Sequence, residues 1–214
     1  MKFTGNKTAP YLARARLGIY TVILGVFSAA SAFSADHLRV SSATFSNNGV
    51  LPISMVDNIV VDGSNGCSLG GVAGGDQSPE VSWTRAPWET HSFVVMLFDV
   101  TASFTHWGMY NIPAGTNSLP AGAGATGSTY GVQVYNDFYD LAYDGPCPPI
   151  GVAPYSHKYV LTVYALDEEL HLPQSVNFPA SAETLWNALV QAGKDGHVLE
   201  SASIEGFYSA TPSQ

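Results

Sequence analysis

His91-Ser92-Phe93-Val94-Val95-Met96-Leu97-Phe98-Asp99 is a near-continuous apolar run that ends on a carboxylate. A strand exposed on one face alternates apolar and polar residues. A run apolar at almost every position reads as a central strand buried on both faces. After a short connection, His106-Trp107-Gly108-Met109-Tyr110-Asn111-Ile112 reads as another strand, stopped by Pro113-Ala114-Gly115. His157 to Leu166 is a further clear strand, and Val198 to Tyr208 reads as the closing one. These segments predict a mainly β domain, a sandwich or barrel-like sheet structure.

Working outward, Leu38 to Phe45 and Val50 to Val61 are expected as early strands, with Asn47-Asn48-Gly49 as the turn between them. Val81-Ser82-Trp83 is a short strand, and residues 114–131, dominated by Gly, Ala, Ser and Thr, read as an exposed loop. One helix is well signalled near the C-terminus. Ser181 is placed to cap it, Ala182, Leu185, Trp186 and Leu189 are expected on one face, and Gly193 is expected to end it.

The first residues follow a different logic. Lys2, Lys7, Arg14 and Arg16 precede an apolar run from Leu17 to Phe27, followed by the small residues Ser28 to Ala32. A basic start, a short apolar stretch and an Ala-x-Ala site form the pattern of a cleaved signal segment, residues 1–35. The competing membrane anchor would need about 20 spanning residues, more than this run supplies. Residues 36–214 are then one domain, exported to a periplasm or secreted.

Charge narrows the partners. The chain has 8 Lys+Arg and 17 Asp+Glu, and four of the basic residues lie in the leader. The remaining domain keeps four basic against 17 acidic residues, a net charge of −13. Nucleic-acid binding requires many Lys/Arg contacts to phosphate, so nucleic acid is not an expected partner. Cys67 and Cys147 both lie in the exported part, where an even pair usually forms a disulfide. Metal ligation by the pair is the alternative, without the C-x-x-C spacing that favours it.

Asp99 ends one strand and His106 opens the next, so an antiparallel pairing brings both to one rim of the sheet. His157 also opens a strand, just after the proline-stiffened segment Tyr143-Asp144-Gly145-Pro146-Cys147-Pro148-Pro149-Ile150-Gly151. A bland alternative exists for each residue. An Asp at a strand end commonly accepts from nearby backbone, and a His beside a Trp is often a half-buried structural residue.

The order of motifs resembles the phosphatidylethanolamine-binding proteins, especially their bacterial Raf-kinase-inhibitor-like branch. Ser78-Pro79 with Val81-Ser82-Trp83 is similar to the family's SP-x-L-x-W segment. His106-Trp107 and Asn111-Ile112-Pro113-Ala114-Gly115 match its HW and NIPAG elements. Tyr143-x-Gly-Pro-Cys-Pro-Pro-x-Gly151 and His157-Lys158-Tyr159, where the family usually has HRY, extend the likeness, which covers nearly all of residues 44–208. Two departures stand out. The family's DPD-x-P becomes Asp99-Val100-Thr101-Ala102-Ser103, and a Gly-rich stretch, Leu69 to Gly75, precedes Ser78-Pro79.

The resemblance implies a β-sandwich with peripheral helices and a pocket for phosphate-like anions or phospholipid head groups. It assigns Asp99, His106 and His157 to that pocket, with Trp107, Tyr143, Pro146 and Pro148 as walls. Exported members also carry a cysteine pair in these two loops, which supports a Cys67–Cys147 bond. The expected function is non-enzymatic binding of a small anionic or lipid-head-group ligand outside the cytoplasm, with no cofactor and no metal. The alternative is an inhibitor or interaction module whose target is an extracellular enzyme or a host protein. An enzymatic reading would use Asp99, His106 and His157 in acid–base or metal chemistry, but no H-E-x-x-H, G-x-S-x-G or placed nucleophile accompanies them.

Overall fold

The computed structural model describes residues 37–173 and 180–211. The predicted signal segment lies outside these residues. Eleven strands are present in the described chain: β1 (Arg39–Ser41), β2 (Gly49–Val50), β3 (Val60–Val61), β4 (Ser64–Asn65), β5 (Val81–Thr84), β6 (Ser92–Asp99), β7 (Phe104–Pro113), β8 (Ser118–Leu119), β9 (Val132–Gln133), β10 (His157–Leu166) and β11 (Val198–Tyr208). The helix α1 (Ala182–Asp195) precedes β11.

A six-stranded sheet runs in the order β2-β11-β10-β6-β7-β9, and a three-stranded sheet in the order β1-β5-β8. The large sheet is antiparallel except where β2 joins β11 in parallel. Between the two sheets lies one apolar layer. Val81, Trp83 and Leu119 of the small sheet meet Phe93, Val95, Leu97, Leu161 and Val163 of the large one. The opposite face of the large sheet carries Val94, Met96 and Tyr110, which pack with Leu185, Leu189 and Ala192 of α1. The apolar run Ser92–Asp99 is therefore buried from both sides, as its lack of alternation predicts. Gly108 on β7 permits the helix to approach, because a Cβ there would lie 2.7 Å from Val134 Cγ2 and 3.0 Å from Leu185 Cδ2.

Several expectations need correction. The early strands are short, and β1 and β2 do not form a hairpin: β1 pairs with β5, and β2 with β11. Side chains replace the ladder after Ser41. Ser42 Oγ donates to the Glu80 carbonyl, Ala43 N to the Glu80 carboxylate, and Glu80 N to Thr44 Oγ1. Between β2 and β3 the chain follows Pro52 into a single 3-10 turn, Ile53–Met55. Residues 114–131 are not wholly exposed, since Leu119 and Ala123 are buried and β8 completes the small sheet.

The helix begins at Ser181 as expected, with a capping box in which Ser181 Oγ accepts from Thr184 N and Thr184 Oγ1 accepts from Ser181 N. It runs past Gly193 to Gly196, whose φ of 87° is the left-handed cap that glycine tolerates. Its buried stripe is Ala182, Leu185, Leu189 and Ala192, and Trp186 sits beside that stripe, half-exposed.

Candidate functional site

Asp99 is the last residue of β6, opposite Tyr159 on β10. Its carboxylate is buried and doubly used. Oδ1 accepts from the backbone N–H groups of Thr101 (2.8 Å) and Ala102 (3.0 Å), closing the turn into β7. Oδ2 lies 2.6 Å from His157 Nδ1. A carboxylate only accepts when ionised, so Nδ1 of His157 carries the shared proton and Nε2 is left for a ligand. The turn-residue reading and the site reading of Asp99 thus hold together.

His106 reaches the same rim through a β-bulge. Leu97 pairs with Trp107 and Phe98 with Thr105, so His106 has no partner on β6. A bulge re-aims side chains, and here it turns His106 onto the face of Asp99 while Thr105 faces away. His106 Nδ1 donates to the Asp144 carbonyl at 2.9 Å. The ring packs among Phe104, Phe138 and Tyr159, with centroids 5.1, 5.8 and 5.3 Å away. Burial pushes the imidazole pKa below its usual value, against the opposing pull of the Asp144 carbonyl and the Asp99 charge. His106 is accordingly neutral near pH 7. With its Nδ1 proton spent on a carbonyl, Nε2 is an acceptor.

Tyr159 is the residue that sequence reasoning missed. It lies two positions after His157, on the same face of β10, and the period-2 rule was the signal that pointed to it. The residue is 1% exposed, and its hydroxyl lies beside the Asp99 carboxylate without closing a hydrogen bond of ordinary geometry. Burial, then the negative charge of Asp99, holds the phenol pKa above its ordinary value, so it stays a donor. Asp99, His106, His157 and Tyr159 line one cavity of about 170 Å³. Ala102, Phe104 and Phe138 supply its apolar rim, and Cys147 and Pro149 close it from the proline-rich segment.

The four residues predicted as walls lie elsewhere. Trp107 is fully buried in the sandwich core, donating from Nε1 to Gln133 Oε1 at 2.8 Å. Tyr143 packs edge-on to Trp107 and donates its hydroxyl to the Met55 carbonyl at 2.7 Å. Pro146 and Pro148 are buried but do not line the cavity, whereas Cys147 and Pro149 do. In an extended segment alternate side chains face opposite ways, so the wall is displaced by one residue. Lys158 also faces away from the cavity and pairs with Glu205 Oε2 at 2.6 Å.

A Cys67–Cys147 disulfide, with Cα atoms 4.3 Å apart, ties this segment to the Gly-rich loop. Gly145 presses against the backbone of residues 55–57 so closely that a Cβ would collide with the Met55 carbonyl and Asp57 N. Gly145 N donates to Asp76 Oδ1 at 2.8 Å, and Asp57 N to the Pro146 carbonyl at 3.3 Å. Three carboxylates gather around this junction. Burial, then repulsion from Asp76, pushes the Asp57 pKa up to about 6, and burial raises Asp76 and Asp144 as well. The Asp57 carboxylate and both disulfide sulfurs lie within 4.8 Å of one another.

Comparison with known proteins agrees with this architecture. YbcL of Escherichia coli, described as a member of the mammalian PEBP family, superposes with a TM-score of 0.62 at 29% identity, covering 81% of this chain and 98% of YbcL. The sequence is 38% identical over 139 residues to a UPF0098 protein of Methanothermobacter thermautotrophicus, covering 61% of this chain and 82% of that protein. It is 35% identical over 147 residues to UPF0098 protein YbhB of E. coli, covering 65% and 85%. The phosphatidylethanolamine-binding protein family model matches residues 41–209, the span that holds the six-stranded sheet, the disulfide and the rim cavity. On that match, joined to the shared fold, the chain belongs to the phosphatidylethanolamine-binding protein family.

Proposed function

We propose that the rim cavity binds a small phosphate-type anion, free or as a phospholipid head group, in a non-enzymatic protein that acts outside the cytoplasm. The observation that carries this reading is the convergence of the buried Tyr159 hydroxyl, which approaches Asp99 without closing a hydrogen bond of ordinary geometry, with two imidazoles on one cavity. A buried hydroxyl without a well-formed hydrogen bond costs up to roughly 1–3 kcal/mol, and a ligand oxygen would remove that cost. His157 Nε2 donates to an anion when the ring is protonated, with Asp99 balancing its charge. Neutral His106 suits the P–OH of a singly protonated phosphate, which donates to Nε2. At about 170 Å³ the cavity is smaller than the roughly 300–1,000 Å³ of drug-sized sites, so it fits a head group and leaves acyl chains outside.

Titration calorimetry with inorganic phosphate and phosphoethanolamine across pH 5–8 tests this reading. Saturable binding that weakens at least tenfold in His157→Ala is expected, and no heat from either ligand at any pH sinks it. The disulfide and the signal pattern support an extracytoplasmic site. Host-cell fractionation with mass measurement of the N-terminus tests that part.

A second reading, an interaction module acting on another protein, is favoured by exposed apolar side chains next to the disulfide. Val60, Val61, Leu69 and Val72 are all more than half exposed. A partner captured through this surface would still be retained by His106→Ala.

A further inference from the structure

A second depression, larger than the rim cavity, lies on the opposite face of the large sheet. It encloses about 390 Å³, within the range of small-molecule sites. Its floor is apolar, made by Met96 and Phe98 of β6 and Val160 of β10. The first turns of α1 form one wall, where Trp186 stands 51% exposed, and Tyr164 adds a second aromatic ring. The helix covers the neighbouring part of this sheet face with Leu185 and Leu189 but leaves this stretch open.

The charges in the groove have one sign. Asp137 and Glu183 both line it, and among the described residues no Lys, Arg or His does. Asp137 Oδ2 accepts from Thr105 N at 2.6 Å, and among the described residues Oδ1 has no hydrogen bond. Among the described residues the Glu183 carboxylate makes no hydrogen bond or ion pair. Lys158 lies on the same strand face, two residues before Val160, but it is paired with Glu205 and is not part of the lining. This lining disfavours an anionic occupant and favours one that brings a positive charge. Two carboxylates beside an exposed indole and a half-buried phenol ring form an environment in which organic cations are recognised, by ion pairing together with cation–π attraction.

We propose that this groove is a second binding site, distinct from the rim cavity, for a small cationic amphiphile: an organic ammonium whose apolar body lies on Met96, Phe98 and Val160 and whose charged head sits between Asp137 and Glu183. The order of the sheet explains its independence. Asp99, Tyr159 and His157 point to one face of β6 and β10, while Phe98, Val160 and Tyr164 point to the other.

The test uses the intact, oxidised protein with Trp88→Phe as background. Trp83 and Trp107 are 2% and 0% exposed, so a ligand-induced change in emission then reports Trp186. Decyltrimethylammonium, decyl sulfate and decyl maltoside are titrated separately, each below its micellar concentration, at pH 7 and low salt. The ammonium is expected to saturate the signal at least tenfold more tightly than either of the others. Asp137→Asn with Glu183→Gln should reduce it to the affinity of the maltoside, whereas His157→Ala and excess phosphoethanolamine should leave it unchanged. The groove lies at the surface and both substitutions preserve shape, and an unchanged melting profile checks the fold. Equal affinity for all three amphiphiles, tighter sulfate binding, or no saturable change overturns the proposal. So does binding of a Lys/Leu amphipathic peptide in the absence of ammonium binding, which would make the face a protein-docking surface instead. Loss of ammonium binding in His157→Ala would overturn the independence of the two sites.

Discussion

His157 Nδ1 and Asp99 Oδ2 lie 2.6 Å apart with both residues buried, and the same carboxylate closes the turn that leads to β7. One side chain thus sets the geometry of the turn and the orientation of the imidazole. Asp99→Asn keeps an oxygen for the turn but presents an amide N–H to a ring nitrogen that also carries a proton. The ring must then switch tautomer or rotate. Binding of phosphate or phosphoethanolamine should fall at least tenfold, with a stability loss of about 1–2 kcal/mol. Asp99→Ala should cost roughly 3–5 kcal/mol, because it leaves a buried His and two turn N–H groups without their acceptor. Denaturant melts with parallel calorimetry separate the two effects. Unchanged affinity in Asp99→Asn would show that His157 orientation does not matter.

Tyr159→Phe should move stability and binding in opposite directions. Removing a buried hydroxyl that makes no well-formed hydrogen bond, only a loose approach to Asp99, is expected to be neutral or stabilising by up to about 1 kcal/mol in the free protein. The same change removes a ligand donor and should weaken phosphate binding about tenfold, the equivalent of roughly 1.4 kcal/mol. A variant that is both less stable and unchanged in binding would place the hydroxyl's partner within the protein.

The long strands were legible because burial on one or both faces writes itself into residue alternation, and Asp99 and His157 follow from where β6 ends and β10 begins, whereas β7 starts at Phe104, two residues before His106. The convergence of His106 was less legible than it looked. It depends on a bulge between Leu97 and Phe98, a backbone irregularity that side-chain patterning does not encode. The anchor of His106 is a main-chain carbonyl, that of Asp144, which any residue could supply. In the proline segment the composition fixed stiffness but not phase, so Cys147 and Pro149 face the cavity in place of Pro146 and Pro148. Trp186 was assigned to the buried helix stripe on hydrophobicity alone, although it lies about 100° around from Leu185.

The carboxylates beside the disulfide should give stability an unusual pH slope. Asp57 titrates at about 6 in the folded protein against about 3.9 in an unfolded chain. Between those values the folded state holds more protons, so this group makes the protein less stable as pH rises through the window. His106 acts in the opposite sense. Its pKa is lowered on folding, so below about pH 6.5 the unfolded chain takes the proton more readily and stability falls with falling pH. Asp57→Asn isolates the first effect, since its Oδ1 can still accept from Asn58 N. The variant should gain about 1–3 kcal/mol over the parent at pH 7 and nothing below about pH 4. Thermal melts of both proteins from pH 3.5 to 7.5 check this, and a gain that persists at pH 3.5 would mean that packing, not charge, explains it.

The disulfide should matter to the rim cavity before it matters to the fold. Its 80-residue loop gives a chain-entropy stabilisation of about 4 kcal/mol, enough to lower the melting temperature without unfolding a well-packed sandwich at 25 °C. Cys147 itself lines the cavity, and its segment is held to residues 55–57 by the Asp57 N to Pro146 carbonyl bond and the close approach of Gly145. Releasing Cys147 frees that wall while β6, β7 and β10 keep their ladders. Cys67→Ser with Cys147→Ser should therefore retain the strand signal in circular dichroism, melt at lower temperature and bind phosphoethanolamine at least fivefold more weakly. Hydrogen exchange should show new opening at residues 143–151, with β10 still protected. If the reduced protein binds as tightly as the oxidised one, the wall is held by its prolines and by packing, and the disulfide contributes stability alone.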